Sequence, residues 1–255
     1  MPKQFGSNPF IKGVSRRMAG AMGVFFVCMG VGPAGATSNT PLAAEFAKKP
    51  DGLEWQQVFS SVDAAHFLEF TAHFRDAKGG EHLLHYWREG NQRLRRNTDG
   101  NMDLMVERLA DGEHRYHLIN HRKKILTQID QTNLHRIGQF STWDDFAHTL
   151  AMPASDVVLV KSTNAEALVS NQRCSWYEVS HTMPGDLTGM HQRICWSRSL
   201  GIPLKIIVVG AGGDEVTTWL VDNASTRKLD NAAFTANIIG YAVVDANVEI
   251  SPESD

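Results

Sequence analysis

Eleven histidines are the residues of this 255-residue sequence most able to do chemistry, and none precedes His66. Imidazoles ligate metals and move protons near neutral pH. His114, His117 and His121 form the tightest trio. On a strand, His114 and His117 point to opposite faces. His117 and His121 share a face but stand about 13 Å apart at roughly 3.3 Å per residue. His82 and His85 also split across the faces, and Met102-Asp103-Leu104-Met105 has the same defect. The spacing therefore offers no local chelate, no metal ligand set is expected, and the histidines read as surface and edge residues. Nucleophilic chemistry fares no better. No Gly-x-Ser-x-Gly elbow occurs, and Asp144-Asp145 suits the first turn of a helix better than an acid/base pair. Triads assemble in space rather than in sequence, so a small exported hydrolase stays open as a third reading, with no catalytic residue to name and no cofactor implied.

Cys174 and Cys195 depend on where the chain resides. The first 36 residues hold Lys3, Lys12, Arg16 and Arg17, no acid, and an apolar or glycine run from Met18 to Val31. Ala34-Gly35-Ala36 then supplies a small-x-small site, which completes a secretory leader cleaved after Ala36. A transmembrane anchor needs roughly 20 apolar residues, more than this run offers. Arg16-Arg17 hints at twin-arginine export, and Cys28 leaves lipidation open. In an exported chain the two remaining cysteines suggest a disulfide rather than two buried thiols. Such a bridge is worth about 3 kcal/mol in the chain-entropy model. Removing the leader leaves 219 of the 255 residues, with 21 basic against 28 acidic side chains, a net charge of −7. That balance argues against nucleic-acid binding, which needs a basic face. Arg93, Arg95 and Arg96 read as a solvated strand end.

The apolar side chains that could bind something are aromatic. Phe70, Phe74, Tyr86, Tyr116, Trp143, Phe146, Trp196 and Trp219 fall on expected strands or on one helix. They are either core or the lining of an apolar pocket, and the sequence holds the two open.

Those residues need elements to position them. Short helices are expected at Pro41–Lys48 and Glu54–Val62. His66–Phe74 then alternates with period two, Leu68, Phe70, Ala72 and Phe74 sharing a face. Strands follow at His82–Arg88, Gln92–Asn97, Met102–Val106, His114–Ile119 and Lys124–Ile129. The turns at Gly79-Gly80, Gly90-Asn91, Asp99-Gly100 and Asp111-Gly112 make this an antiparallel meander. Ser141–Leu150 is an amphipathic helix with a hydroxyl cap and early acids, ended by Met152-Pro153. A second meander comprises Val157–Val160, Glu166–Val169, Arg173–His181, a turn at Pro184-Gly185-Asp186, His191–Ser197, Leu204–Val209 and Glu215–Asn223. Leu204, Ile206 and Val208 are expected inward, as are Val216, Thr218 and Leu220. Neither glycine cluster opens a helix, so neither cradles a phosphate. The fold class is α+β, mainly β: a strongly curved antiparallel sheet, a half-open barrel, with helices on its concave face.

The order Phe70/Phe74, Gly90 with Arg93, Asp111-Gly112 with Tyr116, Ile194-Cys195-Trp196, Gly201-Ile202-Pro203-Leu204-Lys205 and Phe234 resembles the periplasmic lipoprotein-carrier superfamily of LolA-, LolB- and RseB-like proteins. The resemblance spans most of residues 53–236. It makes Gly201-Ile202-Pro203 a structural hairpin between adjacent strands, Pro203 sitting at a strand start because it cannot donate to a ladder. The paired cysteines depart from the lipoprotein carriers. The implied organisation is a leader over 1–36, a helical segment over 37–65, a curved-sheet domain over 66–236 with a lid helix near 141–151, and a C-terminal extension over 237–255 that forms an extra strand or lies loose. The resemblance implies a monomeric, non-enzymatic periplasmic carrier of lipid or acylated protein. Its cavity would be lined by Phe70, Phe74, Tyr86, Leu104, Tyr116, Trp143, Phe146, Trp196, Ile206 and Leu220. The alternative on the same fold is an envelope sensor that binds another exported protein.

Overall fold

A computed structural model describes residues 53–60, 63–136, 142–150, 157–181 and 191–250. The expected leader and its Ala36 site, the Pro41–Lys48 helix, Ser141, the Met152-Pro153 stop and the Pro184-Gly185-Asp186 turn lie outside these residues. The chain forms β1 (Phe67–Arg75), β2 (Glu81–Glu89), β3 (Arg93–Thr98), β4 (Met102–Arg108), β5 (His114–Asn120), β6 (Ile125–Asp130), β7 (Val157–Val169), β8 (Gln172–His181), β9 (His191–Ser197), β10 (Ile202–Val209), β11 (Glu215–Ser225) and β12 (Ala242–Asp245). All twelve belong to one sheet, in the order β12-β6-β5-β4-β3-β2-β1-β11-β10-β9-β8-β7. Each meander pairs in sequence order, and the pairing of β1 with β11 joins them. The sheet folds back on itself: Ser170, in the β7–β8 turn, donates its hydroxyl to the Val221 carbonyl of β11, three strands away.

The helices are short: α1 (Trp55–Val58), α2 (Gln131–Arg136), α3 (Trp143–Ala147) and α4 (Ala246–Ile250). The cap of α3 is Thr142, whose backbone N–H donates to Asp145 Oδ2 at 2.7 Å while the Asp145 N–H donates to Thr142 Oγ1. These reciprocal bonds satisfy two of the orphan donors of the first turn. The helix stops at His148 because Thr149 turns to φ 55°. The helix α2 had no visible periodicity. It is six residues long, starts on the Asp130 carboxylate that accepts the Asn133 N–H at 2.7 Å, and buries one apolar anchor, Leu134.

The first core cluster gathers Leu68, Phe70, Ala72, Leu84, Tyr86, Leu94, Leu104, Val106 and Tyr116, with Leu204, Trp219 and Val221 from the second meander. The α3 side chains Trp143, Phe146 and Ala147 close it, as do Cys174 and Trp176. A second cluster gathers Phe59, Leu159, Val179, Ile194 and Trp196, packed by Trp55 and Val58 of α1. Cys195 lies in the first cluster and its neighbours Ile194 and Trp196 in the second, so β9 has a core on each face. Cys174 and Cys195 are bonded as a disulfide between β8 and β9, with Cα atoms 5.3 Å apart.

Three bulges correct the expected alternation of the second meander. Leu204 has no partner between the pairs Pro203↔Trp196 and Lys205↔Cys195. Thr218 and Asp222 are the extra residues of β11. Each extra residue exchanges the faces beyond it. Trp219 and Val221 are consequently buried, while Leu220 sits half-exposed between Lys205 and His73. Likewise Ile207 and Val209 are buried and Val208 only half so. On β7, residues 162–165 stand opposite Trp176 alone, which joins two expected strands into one bent strand.

The C-terminal extension forms the extra strand. A 3-10 turn (Asn231–Phe234) buries Phe234 under the Arg93 guanidinium, 4.2 Å above the ring. β12 then pairs parallel with β6, and Asn247 accepts the Asp130 N–H at 2.8 Å.

The Gly201 turn combines two constraints. Its φ is +66°, and a Cβ there would lie 2.7 Å from the Ala64 Cβ. Gly100 has nearly the same φ, +68°, with nothing within 4 Å. Gly100→Ala should lose about 1 kcal/mol, the backbone strain alone. Gly201→Ala should lose roughly 2 kcal/mol more, from the steric contact. Urea midpoints of the two variants measure the difference, and equal losses would remove the contact from the account.

Candidate functional site

A charged residue at an inward position of a strand is the most informative feature of the concave face. On β2 the inward residues are Leu84, Tyr86 and Arg88, and Arg88 is only 2% exposed. Its guanidinium donates to three carbonyls: Ala147 at the end of α3 (2.9 Å), Leu200 before the Gly201 turn (2.7 Å) and Ala65 at the entry to β1 (3.4 Å). The Tyr86 hydroxyl donates to the same Ala147 carbonyl at 3.0 Å. Among the described residues no carboxylate pairs with Arg88. Burying an ion without a counter-charge is expensive, so the three carbonyl dipoles carry the compensation. Gly201 lies beside this group, since a Cβ there would meet both Arg88 Nη atoms at 3.6 Å.

Arg88 forms the inner wall of a cleft of about 550 Å³ at this end of the sheet. The rest of its lining comes from Ala64, Ala65 and His66 before β1, Gly90 and Asn91 after β2, Arg108 and His114 at facing ends of β4 and β5, and Trp143, Asp144 and Ala147 of α3. Trp143 stacks on His114 with centroids 5.3 Å apart, and His114 Nδ1 reaches Gln131 Oε1 at 3.0 Å. Gly90 lets the chain pass the His66 ring, 2.8 Å from where a Cβ would stand. The lining is mixed: two guanidinium groups, two imidazoles, one amide and one carboxylate stand beside three alanines, a glycine and Trp143.

Behind the cleft the interior is titrationally unusual. Burial lowers Arg96 to about 10 and raises Tyr116 to about 12. Burial also raises the Tyr86 phenol. His148, the residue that ends α3, is 3% exposed, packs edge-on against Trp196 at 5.4 Å, and is lowered to about 4 by burial. These positions correct two expectations. His148 is a core histidine rather than a surface one. The basic knot is divided: Arg93 and Arg95 face the segment 231–235, and Arg96 points into the core.

The expected lining residues do not form one wall. Phe70, Tyr86, Leu104 and Tyr116 are buried together in the first cluster, and Phe74, Trp143 and Phe146 pack partly buried against it. Trp196 belongs to the second cluster, across β9. Ile206 touches both clusters, and Leu220 lies on the face opposite Trp219. Arg88, Arg108 and His148 were missed. For Arg88 a signal existed: it shares strand parity with Leu84 and Tyr86.

The opposite face carries a polar network. Asp103, fully buried, accepts two bonds from Arg95 (3.1 and 2.9 Å), one from Asn97 (2.8 Å) and a contact from His121 Nε2 at 2.8 Å. His121 Nδ1 meets the Tyr241 hydroxyl at 2.9 Å. This acid–imidazole–hydroxyl line resembles a relay, yet none of its members lines the cleft, and its geometry secures the C-terminal extension. No group of three or more His, Cys, Asp or Glu among the described residues could hold a metal ion. No helix among them is long and apolar enough to cross a membrane.

No protein-family model matches the chain, and no curated protein matches it. Solved structures do. A crystal structure of MucB is 16% identical with a TM-score of 0.43, over 74% of this chain and 64% of MucB, so the chain spans under two thirds of that protein. An uncharacterized conserved protein from Thermus thermophilus is 11% identical with a TM-score of 0.46, over 74% of this chain and 96% of that one. MucB in the Pseudomonas aeruginosa MucA/MucB complex is 14% identical with a TM-score of 0.39, over 72% and 60%.

Two expectations test this site. Arg88→Met should lose about 2–4 kcal/mol, because two well-formed charge-assisted bonds to buried carbonyls disappear. Hydrogen exchange should quicken in α3 and the Leu200 turn before the rest of the sheet; uniform protection would exclude the tie. The second concerns pH. The folded-state value of His148 lies below the ordinary 6.5, so the unfolded chain takes up its proton first. No penalty exists above about pH 6.5, and stability is lost as pH falls from there toward 4. His148→Gln should flatten this acid limb in denaturant titrations across that window, and an unchanged slope would refute the assignment.

Proposed function

We propose that this chain is a non-enzymatic binding module of the bacterial periplasm whose ligand is another envelope protein. The observation that supports this reading most is the filled concave face. Phe70, Tyr86, Leu104 and Tyr116, the side chains best suited to line an acyl tunnel, are packed against one another and beneath α3. Phe70 and Tyr86 stack at 4.7 Å, and Tyr116 meets Phe146 at 5.6 Å. An acyl carrier built on this sheet would have to part these contacts, each aromatic pair worth about 0.5–1.5 kcal/mol beyond its buried area. The opening beside the core sets two arginines, two histidines and Asp144 among apolar side chains, a mixed lining that suits a protein segment better than an alkyl chain.

The disulfide between Cys174 and Cys195 fits an exported chain, and the leader-like first 36 residues point the same way. Lipid carriage is the finer reading implied by the resemblance to lipoprotein carriers, and the same experiment weighs it.

The test is in-cell cross-linking in the native host, followed by purification without detergent. Mass spectrometry then examines both the cross-linked proteins and the organic extract. The module reading expects a reproducible protein partner and no stoichiometric lipid. A stoichiometric acyl species with no protein partner would replace it with the carrier reading.

A further inference from the structure

We propose that the cleft between β1, the ends of β2, β4 and β5, and α3 receives a carboxylate borne by an acidic segment of the partner protein. This inference rests on the binding-module reading and assigns that module its recognition chemistry.

Charge carries the argument. Arg88, in the inner wall, is a buried cation compensated by carbonyls alone. Arg108 lines the outer wall, and no hydrogen bond or ion pair of its guanidinium occurs among the described residues. Its Nη2 lies along the β4–β5 turn, 3.8 Å from where a Gly112 Cβ would be. His66, Asn91 and His114 add potential donors, and Asp144 is the one acid in the lining. Two guanidinium groups against one carboxylate leave an excess of positive charge, on a protein whose overall charge is negative. A carboxylate is the group that an arginine fork binds with the best geometry.

Packing decides what bears that carboxylate. Ala147 and Tyr86, behind Arg88, are buried in the first cluster, so nothing attached to the anion can continue inward. A lipid whose headgroup entered here would leave its chains in water. A peptide has no such difficulty, because its backbone runs along the surface past Trp143 and Asn91.

The experiment uses the full chain and two probes, a capped tetraglutamate peptide and its tetraglutamine counterpart, in low-salt calorimetry. Tetraglutamate should bind and tetraglutamine should not. Arg108→Gln, an exposed change with little bearing on folding, should weaken tetraglutamate binding roughly tenfold, and Arg108→Lys should restore part of it. Asp144→Asn should strengthen binding, a gain that no folding defect can mimic. Equal binding by wild type and Arg108→Gln, or no preference for tetraglutamate, overturns the proposal. Displacement of the peptide by phosphatidylglycerol vesicles in an Arg108-dependent manner also overturns it and assigns the cleft to a lipid headgroup. Retention of the cross-linked protein partner by Arg108→Gln removes the cleft from recognition while the module reading stands.

Discussion

One buried cation organises this end of the molecule. Arg88 holds the last carbonyl of α3, the carbonyl before the Gly201 turn and the carbonyl that leads into β1. These segments come from three distant parts of the chain, and the buried Leu200 carbonyl would otherwise lack a donor. The glycine at 201 follows from the same group: the turn passes between Ala64 and the guanidinium, where no side chain fits. The backbone bond from the Ala65 N–H to the Ser199 carbonyl, 2.8 Å, then fixes the β1 entry to that turn. A lysine could not reproduce a three-way fork of this kind.

The second constraint is that one sheet must serve two cores. The meanders meet where β1 pairs with β11, and from there the sheet bends enough for the β7–β8 turn to touch β11. Bulges at Leu204, Thr218 and Asp222 allow that bend and re-aim the side chains beyond them. The disulfide holds β8 to β9 where β9 divides the first cluster from the second.

On the opposite face the chain beyond β11 is held by polar contacts as well as by the buried Phe234 ring. Arg95 joins Asp103 to the carbonyls of Ala233 and Thr235, at 3.2 and 2.6 Å, and His121 joins Asp103 to Tyr241. A fully buried carboxylate with two arginine bonds, an amide and an imidazole is well satisfied.

Much of the architecture was legible in the sequence because it is local. The first meander follows from alternation between turn residues: the inward set Leu68, Phe70 and Ala72 and the Asp99-Gly100 and Asp111-Gly112 turns depend only on neighbours along the chain. Thr142 with Asp145 similarly announces the cap of α3. The faces of β10 and β11 were not legible, because a single bulged residue inverts the parity on which the reading depends, and bulge positions are set by the curvature of the whole sheet. The lining set divided for the same reason, Trp196 and Cys195 being adjacent in sequence and on opposite sides of β9. The site was the least legible part. Arg88, Arg108, His114 and Asp144 lie on separate elements, and nothing in their spacing relates them. The sequence by itself determined strand periodicity, turn positions and the pair of cysteines, since these are properties of adjacent residues. Only the tertiary structure decided which charges face one cleft and which carbonyls surround a buried arginine, because those relations come from sheet curvature and long-range packing.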